Sequence, residues 1–237
     1  PLDYDSNPAL ASDFVSQADV LVNTRTAADV LGATPMDRPE WSTTDPNTGE
    51  IYFPLTNNTN RGPDQTDAAN PRGPNTHGHV IRLAENDDNP AATGFVWDIF
   101  VFGSNANADP SFNISGLTLD NEFGSPDGLW FDKRGVLWIQ TDNGAPLDSD
   151  TNDQMLAVVP AQLNGDRTVN PDTQASLKRF FVGPVGCEVT GVEMTPDYRT
   201  MFVNIQHPGG NWPDGGSARP RSATVVISRE DDGEIAL

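Results

Sequence analysis

The chain has 237 residues and a formal net charge of -20, with 34 carboxylates against 14 basic side chains, of which only Lys133 and Lys178 are lysines. That charge repels phosphate backbones and anionic bilayers alike, so nucleic-acid binding through a basic face is disfavoured and most of the acidity reads as a solvated surface. With 21 Gly, 20 Pro and a single cysteine, the composition argues against long helices and excludes both an intrachain disulfide and a cysteine zinc cluster.

The first residues, Pro1-Leu-Asp-Tyr-Asp-Ser6, lack a basic start followed by an apolar core. No apolar run approaches the roughly 20 residues of a spanning helix, so membrane insertion is not expected. From Ser12 to Leu31, Phe14, Val15, Ala18, Val22, Ala28 and Leu31 recur near helical spacing, and Gly32 and Pro35 supply a stop. This spacing predicts one helix or a helix pair. At Glu40 begins the first of three copies of one pattern: an acidic residue at the mouth of a predicted strand, an Asp-led turn, and a second apolar strand ending in polar amides.

The copies start at Glu40 (EWSTTDPNTGEIYFPLTNN), Asp127 (DGLWFDKRGVLWIQTDN) and Glu188 (EVTGVEMTPDYRTMFVN). In the second, two runs rich in aromatic and β-branched residues flank Asp132-Lys-Arg-Gly135, whose Asp and Gly suit a tight reversal. Each copy therefore predicts a hairpin. In the third, Glu188 lies further upstream of its strand than Asp127 does, and Thr190 holds the strictly equivalent place. Further strands are predicted at 79–84, 95–102, 154–159, 178–182 and 224–228. A polar loop from Asn57 to about Asn75 is long enough to suggest a function, and a Gly and Pro-rich loop over 208–222 precedes the last strand.

Repeated hairpins of this kind are a β-propeller signature. The spacing is wider than the roughly 40–50 residues of regular blade repeats, so long loops must intervene. The expected fold class is all-β, a β-propeller with a short helical segment near the N-terminus, and the repeat would gather Glu40, Asp127 and Glu188 around one axis. Cys187 reads as a packing thiol. The spacing His77-x-His79 could chelate a metal, but two histidines alone read as structural or solvent-exposed. The stretch Asp148–Gln154 lacks the Gly and Glu of an EF-hand loop. Asn57-Asn-Thr59 and Asn113-Ile-Ser115 fit the glycosylation pattern, which matters only in a secreted eukaryotic protein.

Several runs resemble PhoX-type alkaline phosphatases, in order and over essentially the whole chain: Gly32–Trp41 (GATPMDRPEW), Gly124–Asp132 (GSPDGLWFD), Leu137–Asp142 (LWIQTD), Gly186–Gly191 (GCEVTG) and Thr200–Gly209 (TMFVNIQHPG). The resemblance implies a six-bladed propeller with calcium and iron in its central channel. It also implies hydrolysis of phosphate monoesters outside the cytoplasm, in the periplasm or after secretion. In that likeness Arg38 matches the arginine that contacts substrate phosphate and Glu40 a metal-binding glutamate. Asp127 and Glu188 are assigned as calcium ligands because the repeat sets carboxylates at comparable positions.

The residue types suit the chemistry. An arginine fork can hold two phosphoryl oxygens while hard cations, bound by carboxylates, neutralise the rest. Arg38 and Glu40 are two apart, so in an extended segment both would point to one side; the plainer reading is an ion pair bordering a turn. Pro1-Leu2 matches the middle of the family sequence, so the chain is expected to supply about half of the blades. The preceding half would carry the export signal, further acidic ligands and an iron-binding cysteine, a role that Cys187, in a different motif, does not take. The expected partner is that N-terminal half, on the same or a cleaved chain, or a self-associating copy. Two main readings follow: a phosphatase completed by the other half, or a catalytically silent binding or assembly module. A lactone or ester hydrolase is less apt, since such substrates offer no dianion for Arg38.

Overall fold

The computed structural model of the chain describes residues 1–142 and 147–236; Asn143, the last residue of the second repeat copy, lies outside them. Two compact units are present, Pro1–Met36 and Asp37–Leu237. In the first, a 3-10 turn at Pro8–Ser12 precedes α1 (Gln17–Val22) and α2 (Thr24–Val30). The helix predicted over 12–31 is thus a pair, broken at Asn23, whose φ of -111° and ψ of 35° leave the helical region. Ser16 caps α1 by accepting from the Asp19 backbone N–H at 3.2 Å, and the Asp19 carboxylate in turn accepts from Val15 N at 3.0 Å. The break resets the buried face. Leu10, Phe14, Val20 and Ala27 form the core, whereas Val15 and Val22 are exposed.

The second unit is three antiparallel sheets. The first runs in chain order through β1 (Thr43–Thr44), β2 (Ile51–Leu55), β3 (His79–Glu85) and β4 (Phe95–Phe102). The second runs through β5 (Pro126–Phe131), β6 (Leu137–Thr141), β7 (Gln154–Val158) and β8 (Lys178–Val182). The third holds β9 (Glu188–Met194), β10 (Thr200–Gln206) and β11 (Ala223–Ser228). Every strand pairs with its chain neighbour, so each sheet is a meander. No helix among the described residues is long and apolar enough to cross a membrane.

The three predicted hairpins are β1–β2, β5–β6 and β9–β10, and the same turn chemistry closes them. In the first, Asp45 Oδ1 accepts from Asn47 N at 2.8 Å and Gly49 takes φ +76°. In the second, Asp132 Oδ1 accepts from Arg134 N at 2.8 Å and Gly135 takes φ +85°. A short acidic side chain satisfies turn amides, and glycine reaches left-handed backbone without a Cβ clash. In the third, Asp197 Oδ1 accepts from the Thr195 hydroxyl at 2.6 Å and from Arg199 N at 3.2 Å.

Packing sets the sheets side by side. Tyr52, Val80 and Phe100 of the first meet Leu129, Phe131 and Ile139 of the second in one core. Trp138 and Met155 of the second meet Val189, Met201, Val203 and Ile205 of the third in another. Covered on both faces, β6 and β7 are buried at every position, which is why Leu137–Ile139 and Met155–Val158 run apolar without alternation. Truncating a fully buried tryptophan costs about 3–5 kcal/mol, so Trp138 is a principal joint between sheets. By contrast β10 alternates buried and exposed residues. Its Phe202, paired with Val226 of β11, lies on a face that the described residues leave exposed.

Candidate functional site

The first strand of each sheet lies beside the next: β1 neighbours β5 and β5 neighbours β9. The acidic residues that open the three repeat copies therefore converge. Glu40 approaches through a short pairing with the end of β2, its N–H meeting Pro54 O at 3.4 Å. Arg38, just before it, departs from the extended segment expected from the sequence. Its φ is +55°, a left-handed conformation that costs a non-glycine residue free energy and is kept where surroundings over-determine it. Those surroundings are visible. Asp37, fully buried, accepts from Arg61 Nε at 2.7 Å, Asn58 Nδ2 at 2.9 Å and Asn75 Nδ2 at 3.0 Å, and Arg38 O accepts from Thr56 N at 3.1 Å.

Despite the changed backbone, Arg38 and Glu40 still meet. Arg38 Nη2 lies 3.6 Å from Glu40 Oε1 and 3.7 Å from Asp142 Oδ2. Its other end, Nη1, donates to Asn57 Oδ1 at 3.2 Å. Arg38, Glu40 and His207 are exposed, Asp142 is half-buried, and Asp127 and Glu188 are buried. Glu188, at the start of β9, bridges Asp142 in strand fashion and lies 3.3 Å from His207 Nε2. Its carboxylate also accepts from the Gln206 amide.

Asp142, Glu188 and His207 each offer a ligand atom, all within 4.8 Å of one another. Two carboxylates and an imidazole at this spacing can hold one metal ion: the oxygens suit calcium, and the nitrogen adds affinity for a transition metal such as iron. Electrostatics place Asp127 in the same cluster. Burial, then the negative charges of Glu40, Glu188 and Asp142, push its carboxyl up to about 6, with Arg38 opposing. Burial and Glu188 likewise raise Asp142 from its ordinary value, with Arg38 and His207 opposing. A group of carboxylates so poorly neutralised by protein charge is a donor set fitted to hard cations.

The raised Asp127 has a stability consequence for the metal-free protein. The folded state holds this proton up to about 6 whereas the ordinary value is 3.8, so the fold binds more protons than the unfolded chain between those limits. The contribution of Asp127 is then favourable below that window, falls as pH rises through it and is flat above. Asp127→Asn should accordingly gain melting temperature relative to wild type from about pH 4 to pH 6.5, measured calorimetrically in chelator. A constant difference across that range would contradict the shift.

Other sequence candidates take structural roles. His77 and His79 are both buried. His79 is held neutral, its pKa lowered to about 4 chiefly by burial, between Ala69 O at 2.7 Å and the Asn75 amide at 3.1 Å. His77 lies against the Thr76 hydroxyl at 2.8 Å and Asn105 Oδ1 at 3.3 Å. The pair therefore forms no chelate here. Cys187 is fully buried and its thiol is pushed up to about 12 by burial, an inert packing group. In the acidic stretch, Asp148 accepts from Asn107 N at 2.8 Å and Asp153 from the Thr141 hydroxyl at 2.7 Å, closing loops. Of the glycosylation-pattern asparagines, Asn113 spends its buried amide on Leu117 and Ala106, and Asn57 serves Arg38.

Asp142 and His207 were missed as site residues, and a signal for them existed. Each repeat copy's second strand ends in polar residues: Thr56-Asn57 after β2, Asp142 after β6 and His207 after β10. These strand ends face the same cleft as the acidic strand starts.

Fold and site together define a mostly β protein of antiparallel meanders whose acidic cluster sets the Arg38 guanidinium among carboxylates. The chain belongs to the alkaline phosphatase PhoX family, whose profile matches residues 1–209. A solved structure of Pseudomonas fluorescens PhoX in complex with vanadate, a transition state analogue, is similar at 41% sequence identity and a TM-score of 0.83. The likeness covers 95% of this chain and 39% of that one, so the chain spans well under half the length of this relative. No curated protein sequence matches it significantly.

Proposed function

We propose that this chain forms the phosphate-binding and part of the metal-binding wall of a phosphatase that hydrolyses phosphate monoesters with calcium and iron. The observation that carries this reading is Arg38, held by Asn57 and set beside Glu40 and Asp142, in a chain similar to a PhoX solved with a transition state analogue. Three meanders side by side fit blades of a six-bladed propeller, completed by family sequence outside these 237 residues. A periplasmic or secreted location accords with the family's work on extracytoplasmic esters.

Arg38 binds two phosphoryl oxygens through its planar fork. Glu40, Asp127, Asp142 and Glu188 would hold the cations, with His207 as a nitrogen ligand. When bound, those cations neutralise charge on the phosphoryl oxygens and activate water. Glu40 and Asp142 both lie beside the Arg38 guanidinium. Cations held by these carboxylates would leave the guanidinium to the substrate.

The test is hydrolysis of p-nitrophenyl phosphate by the full-length protein, loaded with calcium and iron and then stripped with chelator. Stripping should reduce turnover at least about 100-fold, with recovery on returning both metals. Turnover unaffected by chelation would overturn the metal assignment. A metal-loaded protein with no turnover would leave the silent binding module as the better reading.

A further inference from the structure

We infer that Asn57 is a positioning residue for the phosphate-binding arginine, relaying the rigid frame around Ser125 to the Arg38 guanidinium; this rests on the role proposed for Arg38. Asn57 Oδ1 accepts from Arg38 Nη1 at 3.2 Å, and Asn57 Nδ2 donates to Ser125 Oγ at 2.8 Å. The asymmetry of the amide matters. Its carbonyl end must face the guanidinium, which has only donors, and its NH2 end must find an acceptor elsewhere. Ser125 Oγ is that acceptor, so the guanidinium dictates which way the amide points and the serine anchors its far end.

Ser125 is equipped for this. It is fully buried and sits at φ +53°, another left-handed non-glycine residue. Its N–H donates to His77 O at 2.9 Å and its carbonyl accepts from Asp142 N at 3.0 Å. One residue thereby sets both the amide that orients Arg38 and the backbone that carries Asp142, the carboxylate near the other end of the same guanidinium. The Asn57 backbone is anchored as well. Thr56 N bonds Arg38 O, and Asn58 exchanges paired backbone bonds with Asn75 at 2.7 and 3.0 Å. Gly78 presses so closely on the Thr56 carbonyl that no side chain fits there. With both ends fixed, the amide holds the fork before substrate arrives, a preorganisation that lowers the cost of binding and of charge development.

The experiment is a double-mutant cycle in the full-length protein loaded with calcium and iron, read as orthovanadate inhibition and as kcat and KM for p-nitrophenyl phosphate. Asn57→Ala should weaken vanadate binding about 10-fold with unchanged metal content, and Ser125→Ala, which removes the same hydrogen bond from the other side, about 3-fold. In an Arg38→Ala background both changes should have less than about a twofold effect, because the group they orient is gone. Equal losses with and without Arg38 would overturn the positioning role and make Asn57 an independent contact or a merely structural residue. If Asn57→Ala fails to fold, the Ser125→Ala cycle decides alone. Wild-type vanadate affinity in Arg38→Ala itself would overturn the underlying reading of Arg38; a large loss there with additive Asn57 and Ser125 effects would overturn this inference only.

Discussion

Arg38→Ala is expected to lower kcat/KM for a phosphate monoester by about 100- to 1000-fold, the scale of removing one preorganised donor from a site where charge develops. The side chain is exposed and its cleft contacts are long, 3.6 and 3.7 Å to Glu40 and Asp142. Ion pairs of that kind contribute at most about 1 kcal/mol to stability. The melting temperature should therefore barely move while activity collapses, a separation that marks a binding role. Arg38→Lys should recover little, because an ammonium supplies a point charge but neither the two-oxygen fork nor the geometry Asn57 holds. The left-handed φ of +55° at this position argues the same way: the fold tolerates an unfavourable backbone at the residue that bears the guanidinium. Steady-state kinetics beside thermal unfolding would check both halves. Unchanged turnover would remove Arg38 from the chemistry.

Glu188→Gln should cost metal affinity at least about 100-fold, since changes one shell further out already cost about 10- to 100-fold. Glutamine keeps the size of the side chain but deletes the charge that Asp142, His207 and Asp127 all sense. Two readouts should move together. Bound calcium and iron, measured by metal analysis after dialysis, should fall, and the Asp127 carboxyl in the metal-free protein should titrate lower than wild type, because one of the charges holding it up is gone. Retained metal with a lowered Asp127 would show that Glu188 shapes the electrostatics without ligating. Both unchanged would dissolve the cluster as a unit.

The strands were legible in the sequence because their signals are local. Alternation, β-branched runs and an Asp-led turn act over a few residues, and β3, β4, β7, β8 and β11 fall within about two residues of where the pattern places them. The helical segment was read less well. The pair allowed by the spacing is present, but within α1 it is Val20 that is buried while Val22, expected on the apolar face, is exposed. In the candidate site, the convergence of the acidic strand starts was legible because they repeat as a type. Asp142 and His207 were not, since the corresponding strand ends differ in chemistry, an asparagine, an aspartate and a histidine, and only their shared position reveals them. The backbone at Arg38 was illegible for a different reason: nothing in the motif around it shows the buried Asp37 network, assembled from residues as far along as Asn75, that holds it.

The acidic cleft draws Glu40 from the approach to the first sheet, Asp127 and Asp142 from the second, and Glu188 and His207 from the third. A cation seated there would act as a rivet through three layers that otherwise adhere through shared hydrophobic cores and a few cross-sheet hydrogen bonds, among them Phe131 N to Thr43 Oγ1 and the Asp142–Glu188 bridge. Occupancy then adds its binding free energy to the cohesion of the whole assembly. The layer that gains most is the third, whose outer face around Phe202 and Val226 the described residues leave bare. It is the layer with most reason to peel first when the rivet is drawn. An ion bound there would thus set how long the three layers stay in register.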